Sequence, residues 1–467
     1  MQLRQTVAAS ILSGRLRVGD RMPSSRKLAA HLKISRITVT LAYQELVADG
    51  YLASRDRSGY FVAETAPVAQ IEPTPKAPSA VVNWDEHLTQ NFSQTRSHYK
   101  TTNWRDFEFP FIYGQADPSI FNHSAWRACA HRALGKRDFD VLAGDYVEAD
   151  DPELVDFIAR QTLPRRGIAA HPEEILITLG AQNALWIVAQ LLLKPGVKVA
   201  IENPGYPGLR GILEQTGCDV SPIDVDEDGL PPDQLDPDTN VVFATPSHHA
   251  PTTVTMPMER RRNLLEKAEQ ENMIVVEDDY EFEMSFLRPP RPALRSIDTT
   301  GRVIYVGSFS KSIFPGLRLG YLVGPAPFIR EARALRATVL RHPPGHIQRT
   351  TAYFLGLGHY DALIRKMRNT FQERRETMSQ NIEKLGLDAR HASVYGGTSF
   401  WMKAPERVDT AELAERLRAQ SVIIEAGAAF FDPKAPENTW YRLAYSSISS
   451  EKIPKGLERI AQAISAH

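Results

Sequence analysis

The stretch Gly307-Ser308-Phe309-Ser310-Lys311-Ser312-Ile313-Phe314-Pro315-Gly316-Leu317-Arg318-Leu319-Gly320 decides how the chain reads. It leaves an apolar run, residues 303–307, that predicts a strand, and it sets one lysine among hydroxyls and glycines with an arginine seven residues on. A primary amine so placed suits an imine-forming nucleophile beside a phosphate site. Ser308 and Ser310 can donate to phosphate oxygens and Arg318 can neutralise them. A lysine on a loop is more commonly just solvated, so the stretch decides nothing without support from elsewhere in the chain.

Three segments supply that support. Residues 275–280, VVEDDY, predict a buried strand ending in three carboxylates and a phenol. A pyridine ring that serves as an electron sink needs an anion at its nitrogen, and a phenol can donate to a ring oxygen. Asp278 and Tyr280 are two residues apart, which puts them on one side of a strand. Gly180-Ala181-Gln182 lies between a strand and a helix, where free amides and the helix dipole favour phosphate. Tyr206, in the 202–206 stretch ENPGY, offers an aromatic ring for stacking. Metal readings are weak: His248 and His249 are adjacent with no evident third ligand, and there is no HExxH. The absence of a Walker loop or GxGxxG removes support for nucleotide cofactors.

Outward from these segments the pattern is regular. Strand candidates at 174–179, 197–202, 241–245, 273–278, 303–307 and 317–323 alternate with helices such as 258–271, the βαβ rhythm of a mostly parallel sheet covered on both faces. A long charged helix over 360–384 follows, then a smaller β-containing region with strands near 393–402 and 440–445 and a closing helix from about residue 450. The 467 residues are too many for one ordinary domain, and with two cysteines, Cys129 and Cys218, far apart, the chain reads as a reduced cytosolic protein. No apolar run approaches the length of a membrane span.

The net charge of −1 hides an asymmetry. Residues 1–63 hold ten Lys/Arg against four Asp/Glu, +6, which leaves −7 for the other 404. A basic head on an acidic body suggests a nucleic-acid-binding module. Helical spacing predicts a first helix ended near Gly14, a second capped by Ser24 or Ser25 and reaching Leu32, and a third capped by Ser35 and ended by Gly50. In the third, Val39, Ala42, Leu46 and Val47 are expected inside and Arg36, Thr38, Thr40 and Tyr43 outside. Two short β runs around a polar turn, residues 51–62, complete a winged helix-turn-helix. Arg26, Lys27, Arg36, Arg55 and Arg57 fall on elements that would touch a duplex, with Ser25, Ser35 and Thr38 beside them. Residues 66–79, APVAQIEPTPKAPS, read as a semi-rigid proline-rich linker, with an extended loop packed on one domain as the alternative.

The head resembles the GntR family of regulators through MPSSRKLAAHL, ISRITVTLAYQELVADGYL and SRDRSGYFV, and the body resembles aminotransferases of class I, pyridoxal-phosphate fold type I. The combination is similar to the MocR subgroup of GntR regulators. That resemblance implies a winged helix-turn-helix over 1–63, a linker over 64–85 and an aminotransferase-like domain over 86–467, with a large part at about 110–340 and a small part at about 358–467. It implies pyridoxal 5'-phosphate held by Lys311 as Schiff-base lysine, Asp278 at the ring nitrogen and Tyr280 at the ring hydroxyl. Ser308, Ser310, Arg318 and Gly180 to Gln182 would hold the phosphate, Tyr206 would stack on the ring, and Arg442 would grip an effector's acidic group. Tyr146 occupies the place of a phosphate contact reaching the partner subunit. The resemblance further implies a cytosolic homodimer, its heads crossed over the partner's body, reading paired half-sites on double-stranded DNA and sensing an amine or amino acid by external aldimine formation at Lys311. A working aminotransferase carrying a DNA-binding head is the alternative, as is a body that has lost its cofactor and only dimerises. At 245–253, TPSHHAPTT, Ala250 and Thr253 replace an aromatic and a glycine of the family pattern, which points to a different ligand.

Overall fold

The computed structural model describes residues 2–56, 58–67, 83–89, 103–115, 117–390 and 394–466. Arg57 and most of the proline-rich linker, residues 68–82, lie outside the described residues, as does Ser393. The chain divides into two compact units, Met1–Phe92 and Ser93–His467. The first includes a helical turn, Trp84–His87, at the end of the expected linker.

In the first unit, α1 (Gln2–Leu12), α2 (Ser25–Leu32) and α3 (Arg36–Ala48) precede an antiparallel pair, β1 (Leu52–Arg55) and β2 (Gly59–Val62). The caps explain the boundaries. Ser24 Oγ accepts from Lys27 N at 3.2 Å and Ser35 Oγ from Ile37 N at 3.2 Å, each relieving an orphan amide of a first turn. Gly50, at φ +76°, ends α3 where a side chain would be strained. Ile11, Val39, Leu46, Leu52 and Val62 form the core. Tyr43 corrects the expected facing: it is 0% exposed, four residues after Val39 on the same helix face. Its ring meets Tyr60 edge-on at 4.9 Å, and its hydroxyl donates to the Pro23 carbonyl at 3.0 Å, so the polar tip needs no solvent. Val47 is only partly buried and Thr40 is half-buried.

The second unit is built on a seven-stranded sheet. Its strands are β3 (Ile175–Thr178), β4 (Lys198–Asn203), β5 (Asp219–Asp224), β6 (Val241–Ala244), β7 (Ile274–Asp278), β8 (Val303–Ser308) and β9 (Gly320–Val323), in the order β3-β9-β8-β7-β6-β4-β5. All contacts are parallel except those of β9, which runs against both neighbours. One face packs on α4 (Ala181–Leu192) and α6 (Ala326–Leu340) through Leu185, Val188, Ile329 and Ala332, the other on α5 (Met258–Gln270) through Leu264 and Ala268. Because both faces are covered, the central strands read as unbroken apolar runs. The strand expected from residue 317 begins at Gly320, because Pro315–Leu317 forms a single 3-10 turn and Arg318 sits at φ +51°.

After α7 (Gly345–Gly356) and the long α8 (His359–Lys384), a smaller antiparallel sheet follows in the order β10-β11-β13-β12. Its strands are β10 (Asp388–Arg390), β11 (Ser399–Lys403), β12 (Glu425–Ala426) and β13 (Trp440–Ala444), closed by α9 (Ile453–Ser465). Phe109–Pro110 pairs in parallel with Val422–Ile423. That pairing carries the segment after residue 110 to the foot of β13.

Candidate functional site

The site lies where β4, β6, β7 and β8 end. At the tip of β7 the three carboxylates have separate fates. Glu277 accepts from the amides of Leu294 and Arg295 at 2.9 and 3.0 Å, and Asp279 pairs with Arg166 Nε at 2.6 Å and takes the Tyr305 hydroxyl at 2.9 Å. Asp278 is left with a buried Oδ1 that has no hydrogen-bond partner. Burial, then the charges of Asp279 and Glu202, push its carboxyl up to about 7, while Lys311 draws it down. An anion in this position is incomplete without a cationic N–H. Tyr280 lies in the turn after β7 instead of on the strand, so strand alternation does not place it; burial and the Glu281 carboxylate push its phenol up, against the pull of Arg442 and Tyr113.

Lys311 follows β8, and its Nζ stands 4.1 Å from the centroid of the Tyr113 ring. Ser308 Oγ accepts from Ser310 N at 3.1 Å, and Ser310 Oγ is buried without a partner. Arg318 Nη2 donates to Leu179 O at 3.1 Å, which brings the guanidinium over the start of α4. A Cβ on Gly180, itself at φ +82°, would lie 3.3 Å from Arg318 Nη2 and 3.5 Å from Ser310 Oγ. Gly180, Ser310, Arg318 and the first amides of α4, those of Ala181 and Gln182, thus form one cradle with donors facing a common space. Gln182 also fixes Tyr206: its Oε1 accepts the Tyr206 hydroxyl at 2.6 Å and its Nε2 donates to Gly208 O at 3.1 Å. Tyr206 and Asp278 line the same cavity together with Glu202 and Thr245.

Arg442, on β13, is buried. Its Nε donates to Glu425 Oε2 at 2.8 Å, and its Cζ stands 4.0 Å from the Tyr113 centroid and 4.7 Å from that of Phe430. Three residues absent from the sequence reading therefore belong here, Tyr113, Glu281 and Glu425, together with Glu202, which the 202–206 stretch contains without a role. Glu281 accepts from Thr398 Oγ1 at 2.5 Å and lines the cavity that also holds Lys311. Glu202 accepts from Thr245 N and Oγ1 and stands 3.5 Å from His249 Nε2. His249 Nδ1 lies 2.6 Å from Thr252 Oγ1. His248 is buried, and burial pushes its imidazole down to about 4, which keeps it neutral. Among the described residues there is no cluster of three or more groups fit to hold a metal. Tyr146 is exposed and donates to the Asp140 carbonyl at 3.0 Å.

In the first unit Arg26, Lys27, Ser35, Arg36, Thr38 and Arg55 are exposed and Ser25 is half-buried. Arg36 Nε reaches Ser25 Oγ at 3.4 Å, linking the starts of α2 and α3, and Arg55 stacks on Phe61 at 4.7 Å in the wing. Ile37, 71% exposed, and Leu41 share this surface.

A DNA-reading head joined to an aminotransferase-type body is the class that this fold and these sites define. Residues 1–62 match the gntR family of bacterial regulatory proteins, and residues 143–460 match aminotransferase class I and II. The chain is 55% identical over 99% of its length to the HTH-type transcriptional regulator TauR of Rhodobacter capsulatus, covering 96% of that protein. It is 32% identical over 80% of its length to the probable rhizopine catabolism regulatory protein MocR of Rhizobium meliloti, covering 75% of it. Among solved structures, the α-aminoadipate aminotransferase LysN of Thermus thermophilus superposes with a TM-score of 0.73 at 24% identity, over 82% of this chain and 99% of that one. The chain belongs to the MocR-type GntR regulators: it is a DNA-binding transcription regulator with an aminotransferase-like effector domain.

Pyridoxal phosphate is the cofactor of this domain class, and the pocket fits it. The unpartnered Asp278 Oδ1 suits a protonated ring nitrogen, and the unpartnered Ser310 Oγ beside Gly180 and Arg318 suits a phosphate. No helix among the described residues is long and apolar enough to cross a membrane.

Proposed function

We propose that the body senses an amine that also carries an acidic group, and that its occupancy sets how the heads engage DNA. The observation that carries this reading is the shared ring: Lys311 and Arg442 both stand about 4 Å from the centroid of Tyr113. The amine that anchors the cofactor and the cation that grips an acid are therefore both held against one ring. Pyridoxal phosphate supplies an aldehyde that condenses reversibly with a primary amine. Lys311 Nζ takes that place at rest, and an effector amine competes for it. Asp278 holds the proton at the ring nitrogen, Tyr280 donates to the ring oxygen, and Tyr206 covers the ring. Ser308, Ser310, Arg318 and the Gly180–Gln182 amides hold the phosphate, while Arg442 binds the effector's acid. A released Lys311 and a filled Arg442 favour one conformation of the body only if the effector binds that conformation more tightly.

The reading extends to a cytosolic homodimer. Leu134, Phe139, Tyr146, Val339 and Leu357 are exposed apolar groups on segments next to α7, more than a lone body needs at its surface. Two heads then read paired half-sites through the starts of α2 and α3 and through the wing. Lys311→Ala is the test: it abolishes the effector response in a promoter assay while operator binding by the head persists. An unaltered response would overturn covalent sensing. The same residues also suit transamination, so purified protein incubated with amino acids and a keto-acid acceptor separates the readings: steady keto-acid formation makes it an enzyme, and a single stoichiometric spectral change makes it a sensor.

A further inference from the structure

Arg442 does not wait for an acid with its charge exposed. Glu425 is its direct cross-strand partner in the antiparallel β12–β13 pair, and the Nε to Oε2 bond is 2.8 Å. Their side chains are 6% and 11% exposed, so the pair is formed away from solvent. The rings of Tyr113 and Phe430 stand against the same guanidinium. An arginine offers five N–H bonds in a fixed plane, and here the Nε edge is committed and the charge already matched.

We propose that Glu425 is a specificity-determining residue of the acid-binding end. It confines the effector's acid to the Nη end of Arg442 and sets a second anion against the incoming one. The pocket therefore grades acidic amines by how well they fit end-on, and it penalises any that crowd the Glu425 carboxylate. This rests on the sensing reading above and deepens it. A pocket with an unmatched arginine would bind almost any anion strongly; a buried pair that is already neutral gains little from charge alone, so shape decides.

The test uses the full chain loaded with pyridoxal phosphate and follows the cofactor's absorbance on titration with ω-aminoalkanoic acids and aminoalkanesulfonates of two to six carbons. Alkylamines of matched length serve as probes without the acid. Glu425→Gln keeps an acceptor for Arg442 Nε and removes the charge. The expected result is tighter binding of the acidic amines by roughly fivefold or more, with a flatter dependence on length, and alkylamine affinity unchanged within about twofold. Unchanged or weaker binding of the acids, or an equal shift for both series, would overturn the assignment of Glu425. If none of the acidic amines alters the spectrum of the parent chain, the sensing reading itself fails and the inference with it. If they do alter it and Glu425→Gln changes neither their affinities nor their dependence on length, only the inference fails.

Discussion

At the scale of single residues, the three carboxylates of β7 show how burial assigns roles. Glu277 is held by backbone amides and Asp279 by its ion pair with Arg166, whereas Asp278 keeps an unmet Oδ1 in the cavity that Tyr206 and Glu202 also line. Asp278→Asn preserves volume and removes the anion. A charge-assisted bond is worth about 1.5–3 kcal/mol, so cofactor affinity is expected to fall about tenfold or more, read by dialysis and absorbance, with little change in the circular dichroism of the protein. Glu202 gives a pH signature. Burial lifts its carboxyl to about 7 although the Thr245 bonds pull it down, whereas the unfolded chain returns it to an ordinary carboxylate value. Between those two values the folded protein holds the extra proton, so its contribution is full at low pH and is lost as pH rises towards and through 7. Glu202→Gln should therefore flatten the melting temperature between pH 5 and pH 8, as about 5 to about 8 spans the transition. A slope identical to that of the parent chain would mean that Glu202 does not titrate there. Lys311 and Asp278 are legible in the sequence because the chemistry demands one residue type at a strand's end. Tyr113, Glu281 and Glu425 are not, because nothing near them in the chain announces a partner such as Arg442, 329 residues beyond Tyr113.

At the scale of elements, α3 is legible at its ends and hidden in one of its faces. Its start was fixed by Ser35 and its end by Gly50, since caps and a positive φ are local chemistry. With Val39, Ala42, Leu46 and Val47 taken as the inner face, Tyr43 is expected outside, but Val39, Tyr43 and Leu46 fall at i, i+4 and i+7, and the Pro23 carbonyl satisfies the phenol. Tyr43→Phe leaves that carbonyl without its donor and should cost about 1 kcal/mol in thermal or urea unfolding of the head. Ser35→Ala removes a cap, costs about 1 kcal/mol, and should weaken operator binding because it loosens the helix that carries Arg36. Arg36→Ala differs in kind: it should lower the slope of log affinity against log salt by about 1 if Arg36 neutralises one phosphate, with no loss of head stability. The β-rhythm of the body was legible from its apolar runs, whereas β5 was not, since an edge strand exposed along most of its length carries no such run. The reversed direction of β9 was equally hidden, as a run of buried residues has no polarity of its own.

At the scale of the whole molecule, the +6 of residues 1–63 and the −7 of the remainder separate two kinds of work. Of the head's exposed cations, Arg26, Lys27 and Arg36 lie at the starts of α2 and α3 and Arg55 in the wing, where phosphates would be met, and its core of Ile11, Val39, Tyr43, Leu46 and Leu52 is closed within the first unit. The cofactor site is drawn from residues 113–442, in the second unit, whose sheet is packed on both faces by its own helices. An acidic body gains nothing from a polyanion and should be repelled by it. Removing residues 1–63 should therefore abolish operator binding at all salt concentrations while leaving the lysine-linked cofactor absorbance and its response to acidic amines intact. Gel shift and absorbance titration on the same preparation check both halves. Loss of the cofactor signal together with DNA binding would show that the head supports the body's fold, and residual duplex binding would show that the body holds phosphate contacts of its own.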